Sequence, residues 1–223
     1  MRLSIILTLG AAVCGAAFGQ SSKASAAINT VSANCPSNSV TDPTCNSGWT
    51  DVMTTTIKTS NIADLFVNPS LITGLYTSTQ VKGNGSGSTS TAIASGTVEV
   101  RVLLDGVAGQ AYPDTTGTGV IFDARVQTLT ANLGYIFTDC LAQGLTGCTL
   151  TPEQITLALD TTSAHSFNFI LLNVGTGTHT LKIQARASSA SSGTNGGVAI
   201  SNALYGLGSL TVESVRLVNS FSF

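Results

Sequence analysis

The informative stretches of this chain alternate apolar and polar residues with a period of two, the mark of a strand that buries one face. Gly96–Gly106 is the clearest: Val98, Val100, Val102 and Leu104 share one side, with Thr97, Glu99 and Arg101 on the other. Leu75, Thr77, Thr79 and Val81 oppose Tyr76, Ser78, Gln80 and Lys82 in the same way. Val120, Phe122, Ala124 and Val126 form an inward row, which sends Asp123, Arg125 and Gln127 to solvent. Further strands are marked by Ile155, Leu157 and Leu159, by Phe167, Phe169 and Leu171, and by Leu181, Ile183 and Ala185. In the last run, Leu210 and Val212 give way to Val215 and Leu217, so the phase slips at Glu213-Ser214 and predicts a bulge there.

Turn residues punctuate these runs. Asp105-Gly106, Asn84-Gly85, Gly175-Thr176-Gly177 and Asn195-Gly196-Gly197 are turn sequences. Gly83–Ser88 and Ser188–Gly197 read as hydrophilic loops. Thr151-Pro152-Glu153-Gln154 offers one short helical turn. Eight to ten strands with hairpin-length gaps predict an all-β, antiparallel β-sandwich of jelly-roll type. The segments Gly177–Ala185 and Gly208–Val215 resemble the closing strands of secreted jelly-roll modules, a resemblance that implies fold and no site residue.

Composition sharpens this picture. Only 9% of the 223 residues are charged, against roughly 25% in an ordinary soluble domain, and 58 serines and threonines take their place. Hydroxyl-rich strands suit that balance, because threonine's branched Cβ fits a pleated sheet. A net charge of −2, with lysines and arginines scattered, excludes nucleic acid as a partner.

The N-terminus carries Arg2, then a mostly apolar run to Phe18, and Ala17-Phe18-Gly19 fits a signal-peptidase site. Residues 1–19 therefore read as a signal peptide, 20–48 as a leader with a disulfide loop, and 49–223 as one sandwich domain. A second cleavage candidate lies near Ala26. Val13 before Cys14 argues against lipidation. Export to an oxidising place makes disulfides the expected fate of Cys35, Cys45, Cys140 and Cys148. Three pairings are open; Cys35–Cys45 and Cys140–Cys148 are favoured, because each closes a short loop of turn formers. The spacing is too wide for a four-cysteine zinc site.

No catalytic, cofactor or metal motif stands out. His165, Asp160 and a serine sketch a hydrolase triad, but no Gly-x-Ser-x-Gly elbow accompanies them. His179 falls in phase with Leu181 and reads as a hydrogen-bonded residue near a strand end. Glu99, Asp105, Asp123, Asp139, Glu153, Asp160 and Glu213 are the acids a glycosidase would draw on, without spacing that pairs them. Trp49, Tyr76 and Tyr112 are candidates for stacking on a sugar, although Trp49 beside Cys45 is expected to pack on a disulfide.

The sequence thus points first to a secreted, non-enzymatic sandwich for binding or for assembly at a cell surface, with a glycan or surface protein as partner and oligomerisation open. A carbohydrate-active jelly roll is the second reading. An outer-membrane barrel is the third, drawn from the apolar row Val215, Leu217, Phe221 and Phe223, with a membrane otherwise not expected.

Overall fold

The structure, a computed structural model, describes residues 24–83, 88–138 and 149–217. Cys140, Cys148, Asp139 and the segment expected as a signal peptide lie outside them.

Among the described residues all regular structure is β. The strands are β1 (Ala24–Asn29), β2 (Ala33–Asn38), β3 (Thr44–Asn46), β4 (Thr50–Thr59), β5 (Ala63–Lys82), β6 (Ser90–Leu104), β7 (Val107–Ala108), β8 (Ala111–Tyr112), β9 (Val120–Ala131), β10 (Tyr135–Thr138), β11 (Thr149–Pro152), β12 (Gln154–Ser166), β13 (Phe169–Val174), β14 (Gly177–Thr194) and β15 (Val198–Val215). The helical turn expected at Thr151 is absent, because Thr149–Pro152 pairs with Tyr135–Thr138 as a hairpin. Segment 24–46, expected as leader and disulfide loop, supplies three strands to the two sheets.

The pairing defines a jelly roll. Several short strands continue one another along a single neighbour, so β1 and β2, β3 and β4, β7 and β9, and β12 and β13 each act as one interrupted ribbon. In the first sheet β1/β2 lies beside β15, then β5, then β12/β13, with the two-residue β8 beyond β13. In the second, β3/β4 lies beside β14, then β6, then β7/β9. With the short β8 and the separate β10–β11 pair set aside, the remaining strands make eight ribbons along the chain, in the orders 1-8-3-6 and 2-7-4-5, the two interlocked Greek keys of a jelly roll. Each sheet ends in free edges. The barrel expectation is thereby overturned for the described residues: these are two open sheets face to face, with no closure.

Alternation places the core between the sheets. Leu65, Val67, Leu71 and Leu75 of β5 face Val98, Val100 and Val102 of β6, with Leu181 and Ile183 of β14 and Tyr205 and Leu210 of β15, all buried. Each large aliphatic removed from water there contributes about 1.5–3 kcal/mol. Toward the other end the interior shrinks to Val81, Ala92, Ala94 and Ala199. There β14 continues through the stretch expected as a loop at Ser188–Gly197. Ser189 and Ser191 point inward, and Ser37, Ser191 and Ser201 bond to one another at 2.8–3.2 Å. Small side chains whose hydroxyls satisfy each other allow the sheets to approach closely.

The hairpin turns follow their residues. Asp105-Gly106 (φ 51° and 85°) and Asn195-Gly196 (φ 52° and 88°) have the left-handed pair that tight antiparallel turns demand. The bulge in β15 sits at Gly206-Leu207 rather than at Glu213-Ser214. Pairing with β5 runs unbroken from Gly208 to Val215. Buried Asn29 donates to the Gly206 carbonyl, and a Cβ on Gly208 would lie 2.2 Å from the Ser70 carbonyl oxygen, so the kink has a side-chain clamp and needs a glycine. Cys35 of β2 and Cys45 of β3 form a disulfide (S–S 2.05 Å), which ties the first sheet to the second along one side.

Candidate functional site

Alternation on β6 and β14 sends Glu99, Arg101, Lys182, Gln184 and Arg186 to the outer face of the second sheet, where neighbouring strands bring them together. Arg186 bonds Glu99 (Nη2 to Oε2, 2.6 Å), and Arg101 donates to Gln184 (2.7 Å) and to the Gly117 carbonyl (2.9 Å). Asp51 of β4 accepts from Lys182 (2.7 Å) and Gln184 (2.6 Å). Those bonds, led by Lys182, hold its carboxyl below the usual aspartate range. The Trp49 ring lies against this ladder, 4.3 Å from the Arg101 guanidinium carbon and 4.6 Å from that of Arg186. Gly119 (φ 90°) passes under the ring, and a Cβ there would come within 2.5 Å of it. Trp49 thus stands against two guanidinium groups, an arrangement its nearness to Cys45 did not announce.

The other two candidate stacking residues lie elsewhere. Tyr76 sits on the outer face of the first sheet, opposite Asn202 and Asp160, and Tyr112 sits on β8 at that sheet's far end, opposite Ile170. The structure does not gather the three into one platform. Beside the Trp49 ladder, Thr44, Asn46, Ser95, Thr97 and Ser188 line a shallow, open cleft of about 400 Å³.

The second constellation lies between the sheets, and the sequence missed it. A bulge in β9 puts Phe122 between two paired residues, Ile121 opposite Glu99 and Asp123 opposite Val98. Val120 and Phe122 face inward as expected, but the extra residue flips everything after it. Asp123, Arg125 and Gln127 therefore point into the sandwich, while Ile121 and Val126 are 65% and 72% exposed. They meet the threonines that β5 carries in its buried phase. Thr73 donates to Asp123 (2.6 Å) and Thr77 to Gln127 (2.9 Å). The Gln127 amide donates to Thr79 (2.8 Å) and to the Leu157 carbonyl (2.7 Å). Arg125 reaches the carbonyls of Leu75 (3.0 Å) and Leu159 (3.2 Å) and the Thr161 hydroxyl. The signal that could have found this seam is the set Thr73, Thr77 and Thr79 in the buried phase of β5, because buried hydroxyls require partners.

His165 belongs to the same seam. Its Nε2 lies 3.5 Å from Asp123, and its ring meets Phe122 edge-on. Asp160, the acid considered for a triad, lies on the opposite face of β12, since five residues separate it from His165 along a strand. The other acids are apart: Glu153 accepts from the Gly134 amide, and Glu213 is exposed opposite Phe66. At the end of the sandwich Asp105 accepts from His179 (2.8 Å) and from the Thr180 amide (2.8 Å), and the second nitrogen of His179 faces the Gly175 carbonyl (3.0 Å). Two acceptors favour the imidazolium, so the Asp105 bond raises the pKa of His179 and lowers that of Asp105. Among the described residues no three metal-ligating side chains cluster.

No protein-family model matches the chain, and no curated protein matches it. Among solved structures, the VP2 subviral particle of infectious bursal disease virus is similar at 7% identity over 87% of this chain and 42% of that one, with a TM-score of 0.16. The Gt strain of the same virus gives 12% identity over 96% and 46%, with a TM-score of 0.16. The chain thus spans less than half the length of those proteins. Scores this low carry no argument; the jelly roll rests on the strand connectivity.

Proposed function

We propose that this chain is an exported, non-enzymatic jelly-roll domain that works through its surface, by binding or by assembly. The observation that supports it most is how its ionisable side chains are engaged. Asp51, Glu99, Asp105 and Asp123 meet Lys182, Arg186, His179 and His165 in turn, and each pair joins neighbouring strands or, for Asp123, the two sheets. Groups held this way brace a scaffold; a general acid and base would instead converge on a cleft. The Cys35–Cys45 disulfide suits an oxidising compartment. No helix among the described residues is long and apolar enough to cross a membrane.

The test is to express the full chain for export, fractionate it without detergent, and assay it on glycan arrays and chromogenic glycosides. Soluble, oxidised protein that retains a ligand without turnover is the expected result. Saturable turnover lost in Asp123→Asn would overturn the reading.

Glycan binding is a second reading, favoured by one observation: Arg186, which lies against the Trp49 ring, is followed two residues along the same outer face by Ser188, which lines a hydroxyl-rich cleft. Loss of glycan retention in Trp49→Ala, with Tyr112→Ala unaffected, would support it.

A further inference from the structure

β12 is a free edge. It pairs with β5 over thirteen residues in unbroken register, from Gln154–Lys82 to Ser166–Ser70, and with no other strand among the described residues. A strand presents its N–H and C=O groups alternately to both sides, so β5 takes one set and the other stands ready for a further strand. Edge strands are usually blunted by lysine, proline, a bulge or an inward-pointing charge. β12 has no lysine, proline or bulge between Gln154 and Ser166; its one acid, Asp160, points outward, and its one inward ionisable side chain, His165, lies near the strand's end, beyond residue 162. Its apolar row is also unusually open. Ile155, Leu157 and Leu159 are in phase with the buried Val81, Thr79 and Thr77 of β5, yet they remain 45%, 42% and 45% exposed.

We propose that β12 is the assembly edge of the domain and pairs antiparallel with β12 of a second copy, about a two-fold axis through Ala158. This rests on the binding-or-assembly reading and names the partner. The strand's own sequence selects the register. A two-fold through Asp160 would set that carboxylate against its own copy, and like charges directly opposite destabilise a sheet. An axis through Thr162 would leave Leu157 and Ile155 beyond the paired segment, and one through Thr156 would pair only Gln154–Ala158. The axis through Ala158 pairs residues 154–162 of both copies. It sets Leu157 against Leu159 of the second copy and Ile155 against Thr161, and Asp160 faces Thr156. The half-exposed row then packs on itself, and the first sheet continues across both molecules in a closed, isologous contact.

The test uses the full exported chain. Light scattering behind size exclusion should give twice the chain mass at high concentration. Leu157→Lys, at a half-exposed site, should return the monomer, while Val126→Lys on the β9 edge should leave the dimer. Circular dichroism and the intact Cys35–Cys45 bond would show both variants folded. Register is read by cross-linking. Ala158→Cys places two thiols at a directly opposed pair, about 4.5–5.5 Å between Cα atoms, within disulfide reach. Asp160→Cys places them about 14 Å apart along the strand. An Ala158→Cys link between copies, mapped by peptide mass, with none from Asp160→Cys, is the expected result. A monomer at every concentration, a dimer that survives Leu157→Lys, or a link from Asp160→Cys would overturn the proposal. Turnover on a substrate would instead overturn the functional reading and leave the dimer standing.

Discussion

β9 and β12 border the same open side of the sandwich, one in each sheet, and they handle that exposure in opposite ways. β9 carries a bulge and turns Asp123, Arg125 and Gln127 inward, where the hydroxyls and carbonyls of β5 and β12 satisfy them. β12 is straight, keeps its acid outside and leaves an apolar row half open. An inward charge makes an edge hard to extend, because an added strand would have to cover it. The lesson is that free backbone alone does not mark a docking edge; what the inner face of the edge strand carries decides it.

The sharpest way to break this contrast is at adjacent residues of β9. Gln127→Ala leaves Thr77, Thr79 and the Leu157 carbonyl without their buried partner and should cost about 2–4 kcal/mol in denaturant unfolding. Val126→Ser, at an exposed position, should stay within about 0.5 kcal/mol of wild type. The reverse order would restore the phase expected from hydrophobicity alone.

The opposite side of the sandwich offers the next comparison, since a covalent staple replaces the polar seam there. Replacing both Cys35 and Cys45 by serine should cost about 2–3 kcal/mol, read from the same unfolding midpoints.

The smallest effect belongs to the surface pair Asp105–His179. His179 has a raised pKa, so its contribution is full below 6.5, its ordinary value, and is lost as pH rises through the folded value. Asp105 has a lowered pKa, so its contribution is full above 3.8 and is lost as pH falls through the folded value. The pair should therefore help most between those limits, and His179→Gln should flatten the alkaline limb in a thermal-unfolding series across pH. Because the Asp105 carboxyl is half exposed, solvent screening keeps the effect small.

The strands that were legible in the sequence are those with one consistent phase. β5, β6 and the first half of β14 alternate cleanly: the inward rows beginning at Leu75 and Leu181 are buried as expected, and so is the row from Val98 to Val102, with Leu104 at its end partly buried. β9 was legible only to Phe122, because a bulge reverses the phase and hydrophobicity cannot register one extra residue. The second half of β14 read as a loop because serine on a surface and serine in a hydroxyl cluster look alike until Ser37 and Ser201 are brought beside Ser191. The Trp49 ladder was legible as separate residues on β6 and β14, but not as a unit, since only strand pairing places Arg101 and Arg186 under one ring.

Amide hydrogen exchange of the full chain, followed across a range of concentrations, tests the central contrast most directly. Residues 154–162 of β12 should gain protection as concentration rises, while β9 from Val120 to Ala131 should keep the same exchange throughout. Unchanged exchange in β12, or new protection in β9 instead, would contradict it.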